Sequence, residues 1–184
     1  QVDLTNWTVD VDNTSIGGGL SLLLRDRPAF GLSLVVDKVN LDAYLPASAS
    51  AGAAGAAAGA NVNPSKGDNA DITKLLSSFD ANLLIKVKEA RYRNTTIRGA
   101  ALDATIQSGE IVIRDLSVVD VGGAALEVTG KLAGTVVEPS TDIKVKITAK
   151  SAAKLARFAG VEVTETVQKL GGFEFQSKVL GSPS

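Results

Sequence analysis

Hydrophobic and polar residues alternate along several stretches of the chain. Over residues 79–88 every odd position from Phe79 to Val87 is apolar, and four of the five even positions are polar. A period of two places the apolar side chains on one face of a β-strand and the polar ones on the other. The same alternation recurs over 102–107 and 142–149. These stretches predict strands with one dry face and one wet face.

Short turn signals separate neighbouring stretches of this kind. Ser108-Gly109 lies between 102–107 and the apolar run 110–113, and Gly122-Gly123 lies between 116–121 and 125–132. Two-residue connections of this type join antiparallel strands in hairpins. The pattern predicts a mainly β (α+β) protein, built on an antiparallel, curved multi-stranded meander sheet. Further apolar faces of the same sheet are predicted from Leu20, Leu22, Leu24, Phe30, Leu32, Leu34 and Val36.

Helices are predicted to be few and short. Ser151 is a good N-cap for a helix over 152–159, and Gly160 follows in the position that glycine favours. Thr164 is predicted to cap a second helix over 165–170, which Gly171-Gly172 ends. A turn or two of helix is also predicted at 42–45 and at 71–78.

A low-complexity run interrupts the strand pattern. All fourteen residues of 47–60 are Ala, Gly or Ser. Three glycines lower the helix propensity by about 1 kcal/mol each. Fourteen residues of helix would also rise only about 21 Å, less than the roughly 30 Å of a bilayer core. Together with the polar residues that follow, the run predicts a flexible Ala/Gly-rich loop over 46–70.

The composition limits the kinds of functional site that the chain can form. The chain has no Cys, His or Met, and its 19 basic and 20 acidic residues nearly cancel. This excludes a disulfide scaffold, a thiolate zinc site and a Cys or His nucleophile, and it provides no basic footprint for nucleic acid. We predict no metal and no other cofactor. Because the chain has no initiator Met and opens at Gln1 directly into a predicted strand, we expect it to be a fragment of a longer protein. It contains no signal peptide and no long apolar span.

Two motifs for ligand binding are incomplete. Asp10 and Asp12 match the first ligands of a calcium loop, but Ser15 replaces the glycine and Ser21 the closing glutamate. The glycine triplet 17–19 lacks the Lys-Ser/Thr of a phosphate loop, so a tight turn or bulge is the better interpretation. No catalytic constellation stands out, and we predict that the protein is not an enzyme. A carboxylate-based hydrolase stays as a weaker alternative.

A weak internal repeat accompanies the strand pattern. Residues 126–134 are similar to 173–181 position by position, and 85–88 match 143–146. A period of roughly fifty residues is typical of a repeated strand-rich unit. Chance similarity among alternating strands is the alternative.

Several segments, taken in order, resemble the AsmA family. Residues 34–46 (LVVDKVNLDAYLP) resemble a strand and turn of that family, and 79–87 (FDANLLIKV) resemble the strand that follows its variable loop. The series continues with the strand at 90–98, the hairpin of 101–118, the Gly-Gly strand of 122–132 and the strand of 173–181. Val121 departs from the pattern, because the family often has an aromatic residue or Leu there. Since the series runs through the Ala/Gly run, residues 1–184 are predicted to form one domain.

The resemblance implies a place and a role. It implies a periplasmic protein of Gram-negative bacteria, anchored in the inner membrane by an N-terminal helix outside this fragment and involved in outer-membrane biogenesis. Larger relatives resemble bridge-like lipid transfer proteins, whose curved sheets carry acyl chains on a concave face. The implied partner is therefore a phospholipid or another acyl-chain lipid, with other envelope proteins or neighbouring repeats of the same chain.

The apolar strand faces are the candidate site. A two-chain lipid needs shelter worth on the order of 20 kcal/mol, at about 0.8 kcal/mol per CH₂. An alternative is that the same residues form a closed core beneath the two helices, and that the domain is a scaffold acting through its sheet edges. The candidate groove residues are Leu83, Ile85, Val87, Leu102, Ala104, Ile106, Ile143, Val145 and Ile147.

Overall fold

A single sheet of nine strands dominates the protein. The computed structural model describes residues 1–11, 14–43, 75–92, 95–134, 139–158 and 163–181. Within these ranges the strands lie side by side in chain order, which confirms the predicted mainly β fold. Their bounds are β1 Val2–Val11, β2 Thr14–Leu23, β3 Ala29–Asn40, β4 Asp80–Tyr92, β5 Thr95–Gln107, β6 Glu110–Val121, β7 Ala124–Gly134, β8 Pro139–Ala149 and β9 Phe173–Gly181.

One pair of strands departs from the antiparallel meander. β3 and β4 are parallel, with Ala29 beside Asp80 and Asn40 beside Arg91, while all other neighbours are antiparallel. A parallel pair requires a crossover of a dozen or more residues, and the long connection between Asn40 and Asp80 supplies it. The Ala/Gly run belongs to this crossover. The loop predicted over 46–70 lies outside the described residues.

Asp80 fixes the start of β4 against the turn that precedes β3. Its backbone N–H donates to the carbonyl oxygen of Pro28 at 2.9 Å. Its carboxylate is 3.0 Å from the guanidinium of Arg25 and 3.1 Å from that of Arg27. Arg27 also donates to the backbone oxygen of Ser77 at 2.6 Å. The chain returning from the crossover is therefore held at the level where β3 begins, which sets the parallel register.

The two predicted hairpins are confirmed. Their turns are Ser108-Gly109, with φ of 55° and 82°, and Gly122-Gly123, with φ of 59° and 82°. Two successive residues with positive φ give a turn whose twist matches that of the flanking strands. Glycine occupies three of these four positions, where a side chain would be strained.

Two short helices follow β8. Helix α1 spans Ala152–Phe158 and α2 spans Glu165–Lys169. Both predicted caps are present, since the hydroxyl of Ser151 accepts the N–H of Lys154 and that of Thr164 accepts the N–H of Val167, each at 3.4 Å. Gly160 and residue 159 lie outside the described residues. No described helix is long and apolar enough to cross a membrane.

The other two predicted helical segments are only partly described. Leu41–Ala43 forms a 3₁₀ turn, and residues 75–77 are helical. The rest of 42–45 and of 71–78, apart from Ser78, lies outside the described residues. The segments with internal sequence similarity occupy β7 and β9, on either side of β8, and parts of β4 and β8.

Within the described residues the sheet is a single layer and has no thick core. Apart from Tyr92, the buried apolar side chains of the described residues are all alanines, and no large side chain there is fully buried. Strands contact their sequence neighbours, as expected of an open sheet rather than of a barrel or a sandwich. The buried alanines are Ala81, Ala90, Ala104, Ala124, Ala149 and Ala152.

Shifts in register keep the apolar residues on one side. The register of β6 against β7 shifts twice, once between Ile113 and Leu116 and once between Val118 and Val121. Each shift accommodates two consecutive residues that lie on the polar side or are exposed. Without the shift, the apolar residues that follow would move to the other face. A one-residue slip exchanges the two faces of a strand, so these irregularities maintain a continuous apolar face.

Shortening the crossover should show whether the fold depends on the length of this connection or on its Ala/Gly composition. The paired part of β3 and β4 is about 36 Å long, at roughly 3.3 Å per residue. Deleting 47–60 leaves 17 of the 31 residues between Ala43 and Leu75, which reach about 60 Å. We expect a native circular dichroism spectrum and a change in unfolding free energy below about 1 kcal/mol.

A longer deletion is the control for this experiment. Removing 47–72 leaves five residues between Ala43 and Leu75, and their reach of about 20 Å is too short for the return. This variant should lose the cooperative urea transition. If the shorter deletion unfolded the protein, or the longer one kept a native spectrum, the explanation of the parallel pair by the length of the crossover would be wrong.

Replacing Gly130 should destabilise the pairing of β7 with β8. Gly130 has φ of 150°, and a Cβ there would collide with the carbonyl oxygen of Asp142 and lie 2.7 Å from the Cα of Ile143. We expect Gly130→Ala to lower the unfolding free energy by about 2 kcal/mol in urea denaturation. Gly181→Ala is the matched control, because its Cβ would meet only Thr141 at 3.4 Å. Equal effects of the two variants would refute the explanation.

Candidate functional site

The register of the nine strands brings apolar side chains into rows that cross the whole sheet. Residues directly opposite one another on paired strands point to the same side, so the pairing can be followed from β1 to β9. Four such rows make up what we call the apolar face. One central row consists of Trp7, Gly18, Leu34, Ile85, Leu102, Leu116, Val128, Val145 and Ser177.

The three other rows flank this one. They contain almost only Val, Leu, Ile, Phe and Ala, with Thr141, Gly130 and Gly181 as the exceptions. In chain order they are Val2, Leu22, Phe30, Ala81, Ile106, Ile111, Leu132, Thr141, Gly181; then Leu4, Leu20, Leu32, Leu83, Ala104, Ile113, Gly130, Ile143, Val179; and Val9, Ile16, Val36, Val87, Ala100, Val118, Leu126, Ile147, Phe175.

All nine candidate residues lie on the apolar face. Six form a contiguous block on β4 and β5, where Leu83 is opposite Ala104 and Ile85 is opposite Leu102. The three on β8 are separated from this block by β6 and β7, two predicted strands that contribute no residue to the candidate set. The missing residues are Ile111, Ile113, Leu116 and Val118 on β6, and Leu126, Val128 and Leu132 on β7.

Bulges explain why the residues of β6 were missed, whereas β7 alternates regularly from Leu126 to Leu132, so its residues could have been included. The apolar positions of β6 change from odd to even between Ile113 and Leu116. A search for strict period two therefore finds only fragments of the strand. The signal that recovers it is the pair Arg114-Asp115, two consecutive charged residues between two apolar runs.

The apolar face is accessible to solvent in the described part of the structure. Exposure is greatest at the edges, where Leu4 is 53% and Phe175 50% exposed, and most residues of the inner strands are half-buried by their row neighbours. Helix α1 lies at one end of the sheet, where a Cβ on Gly122 would be 2.8 Å from the Cβ of Phe158. The described helices therefore border the face rather than cover it.

The opposite face is polar and carries ion pairs between adjacent strands. Lys88 lies 2.9 Å from Asp37, and Arg98 lies 3.3 Å from Asp120. These pairs are solvent-exposed, so each contributes little to stability. Their main effect is to disfavour the register in which charged side chains would enter the apolar rows. The remaining pairs of β5 to β9 are Arg114–Asp103, Lys131–Glu110, Lys146–Glu174 and Lys178–Asp142.

The bulge on β6 also resolves a charge conflict on the polar face. Asp103 and Asp115 are directly opposite each other, an arrangement that destabilises a strand pair. Arg114, the adjacent residue of the bulge, donates to Asp103, and the Ser117 hydroxyl donates to Asp115 at 3.1 Å. Each carboxylate thus has its own partner.

Two open hollows lie on the polar side. One, of about 420 Å³, is shaped by the small residues Gly19, Ser21, Gly31 and Ser33 of β2 and β3. The other, of about 430 Å³, lies between β7, β8 and β9 and is lined by lysines with Glu127 and Gln176. Among the described residues no group of three or more acidic side chains is arranged to hold a metal ion. Asp10 of the incomplete calcium motif lies on β1, and residues 12 and 13 are outside the described part.

Comparison with known proteins gives no further assignment. No family model, no curated protein and no solved structure matches the chain significantly. The resemblance to the AsmA family therefore rests on the segments quoted above.

The pair of Lys88 and Asp37 provides a test of the polar face. The hydrogen bond and the charge of Lys88 hold the pKa of Asp37 below its ordinary value. Because that pKa is lowered in the folded state, the pair stabilises the fold above the ordinary carboxyl pKa, and this stabilisation disappears as pH falls through the lowered one. We expect Lys88→Met to raise the pKa of Asp37, as measured by NMR titration of its carboxyl carbon. Lys86→Met should leave the pKa of Asp37 unchanged.

Proposed function

We propose that this domain is a non-enzymatic, AsmA-like module of the Gram-negative periplasm that holds phospholipid acyl chains on its apolar face, or conducts them along it, in outer-membrane biogenesis. The observation that carries the proposal is the set of four apolar rows, which cross all nine strands with no described helix or strand packed over them. The periplasmic location and the anchoring of the parent protein rest on the resemblance alone.

The dimensions of the apolar face support lipid as the ligand. Nine strands about 4.8 Å apart span about 38 Å, and four rows about 6.8 Å apart span about 20 Å along the strands. A surface of this size accommodates several extended acyl chains. Each CH₂ that leaves water gains about 0.8 kcal/mol, and the side chains it covers gain as well. Exposed contiguous apolar patches of this extent are typical of interaction sites.

The direction of the rows supports conduction as well as storage. The rows run across the strands and end at β1 and β9, where Leu4 and Phe175 are among the most exposed apolar residues. An acyl chain lying along a row meets side chains of similar character throughout. No charged side chain interrupts the four rows. A chain can therefore shift along a row without desolvating a charge.

A scaffold that acts through its sheet edges is the second candidate. The exposed edge strand β9 favours it, because unpaired backbone groups on an edge are a template for another strand. The two candidates differ in what they bind: the lipid function needs the apolar face, while the scaffold needs only the edges.

A charge placed on the apolar face should abolish lipid binding. Ile85 lies near the middle of a central row, and it is half-buried rather than packed in a core. In Ile85→Asp an acyl chain would have to desolvate a carboxylate, so we expect affinity for a fluorescently labelled phospholipid to fall at least tenfold. The measurement is a fluorescence titration of delipidated protein. Circular dichroism checks that the variant is folded.

The neighbouring residue provides the matched control. Lys86 lies next to Ile85 on the same strand but on the polar face, so Lys86→Asp should bind lipid as the unchanged protein does. Equal losses in both variants would show that binding does not use the apolar face. Failure of the unchanged protein to retain phosphatidylethanolamine, phosphatidylglycerol and phosphatidylcholine would refute the lipid function and leave the scaffold.

A further inference from the structure

Strand β9 is an exposed and regular edge of the sheet. Phe173 is 40%, Phe175 50% and Val179 49% exposed. Its pairing with β8 runs from Phe173 to Gly181 without a register shift. Natural proteins usually protect such an edge by a bulge, a proline or a covering element, because it is a template for another strand. No described element covers the outer side of β9.

The other edge is protected. Along β1 the register shifts between Leu4 and Trp7, and Asn6 has a positive φ of 54°. An irregularity of this kind interrupts the row of outward N–H and C=O groups that a partner strand would need. Of the two edges, β9 is therefore the one that accepts a strand.

The charges of β9 are arranged for self-pairing. Glu174 and Lys178 lie on the polar face, four residues apart, with Gln176 midway between them. When two copies of β9 are placed antiparallel with Gln176 on the two-fold axis, each Glu174 is opposite the Lys178 of the other copy. Opposite charges at directly facing positions stabilise a strand pair. The two-fold axis therefore gives two identical Glu174–Lys178 pairs between the copies.

The apolar residues match in the same arrangement. Phe173 comes opposite Val179 of the other copy, an aromatic and β-branched pair of the kind that favours pairing, and Phe175 comes opposite Ser177. In this arrangement odd-numbered residues lie opposite odd-numbered residues, so the apolar faces of both copies lie on the same side. The three rows that end at Phe175, Ser177 and Val179 would continue from one copy into the next, whereas Gly181 comes opposite a residue that precedes β9.

We propose that two copies of this chain associate through β9, in the antiparallel arrangement centred on Gln176, and form one continuous sheet. A two-fold axis uses the same surface patch on both copies, and two-fold dimers are the commonest oligomers. The proposal does not depend on what binds the apolar face.

Other pairings of the same edge fit less well. Centring the axis on Ser177 places Glu174 opposite Leu180 and removes both ion pairs, and centring it on Lys178 opposes two lysines. Head-to-tail pairing of β9 with β1, in the register that continues the rows, places Glu174 opposite Asp10 and has to pass the irregularity at Asn6. Like charges directly opposite are destabilising.

Cysteine cross-linking tests both the interface and its register. The chain contains no cysteine, so a single introduced one reports on its own position. In Gln176→Cys the two sulfurs would face each other at a distance that a disulfide spans, whereas in Ser177→Cys they would be diagonal and too far apart. We expect rapid oxidation of Gln176→Cys to a covalent dimer, and slow oxidation of Ser177→Cys. Equal rates, or faster cross-linking of Ser177→Cys, would overturn the arrangement.

A charge swap tests the pairing without a covalent bond. The unchanged chain should double its mass from 18.9 kDa in sedimentation experiments over a concentration series. Glu174→Lys and Lys178→Glu should each sediment as single chains, because each opposes like charges across the axis. An equimolar mixture of the two should restore the dimer, since every facing pair then has opposite charges.

A substitution on the other edge is the control. Thr8→Lys places a charge in the middle of β1 and should leave the dimer intact. Loss of the dimer in this variant would identify head-to-tail pairing instead and overturn the proposal. An unchanged chain that stays at the mass of one copy throughout the series would overturn it as well. Circular dichroism of each variant excludes unfolding as the cause of a mass change.

Discussion

The requirement that all nine strands keep their apolar side chains on the same side is the constraint on which the rest of the structure depends. The side-chain period of a strand is two, so a slip of one residue would move a whole strand's apolar set to the other face. In a sheet with no second layer among its described elements, apolar contact comes mainly from neighbours in the same row. The shifts near Asn6 and Asp103 and along β6 are consequences of this requirement.

A single layer distributes its stability differently from a sandwich or a barrel. No large side chain of the described residues is fully buried, so stability is the sum of many cross-strand pairs, each worth roughly 0.2–1 kcal/mol. Small residues allow the strands to approach where larger ones would not fit, as at Gly130, where a Cβ would lie 2.7 Å from the Cα of Ile143. The exposed ion pairs add little energy, but they make the reversed register unfavourable.

Sequence patterns predicted those parts of the fold in which local rules decide. The hairpin turns at Ser108-Gly109 and Gly122-Gly123 and the caps at Ser151 and Thr164 depend on a few neighbouring residues, and all were predicted correctly. The parallel pairing of β3 and β4 was missed because it depends on the length of a connection and on Asp80 meeting Arg25 and Arg27. The apolar residues of β6 were left out of the candidate site because bulges break its period of two; those of β7 alternate regularly and could have been included. Alternation identifies the apolar side of a strand, but it carries no information on what lies against that side.

The open face and the exposed edge are related through the geometry of the rows. Because the rows run to β9 without interruption, Phe175 and Val179 belong both to the proposed lipid surface and to the proposed interface. In the paired arrangement a row is twice as long, and an acyl chain can lie across the junction and contact both copies. A ligand with such a differential contact favours the paired state, and by reciprocity pairing raises the affinity for that ligand. Lipid binding and self-association would therefore be coupled, because Phe175 and Val179 contribute side chains to both surfaces.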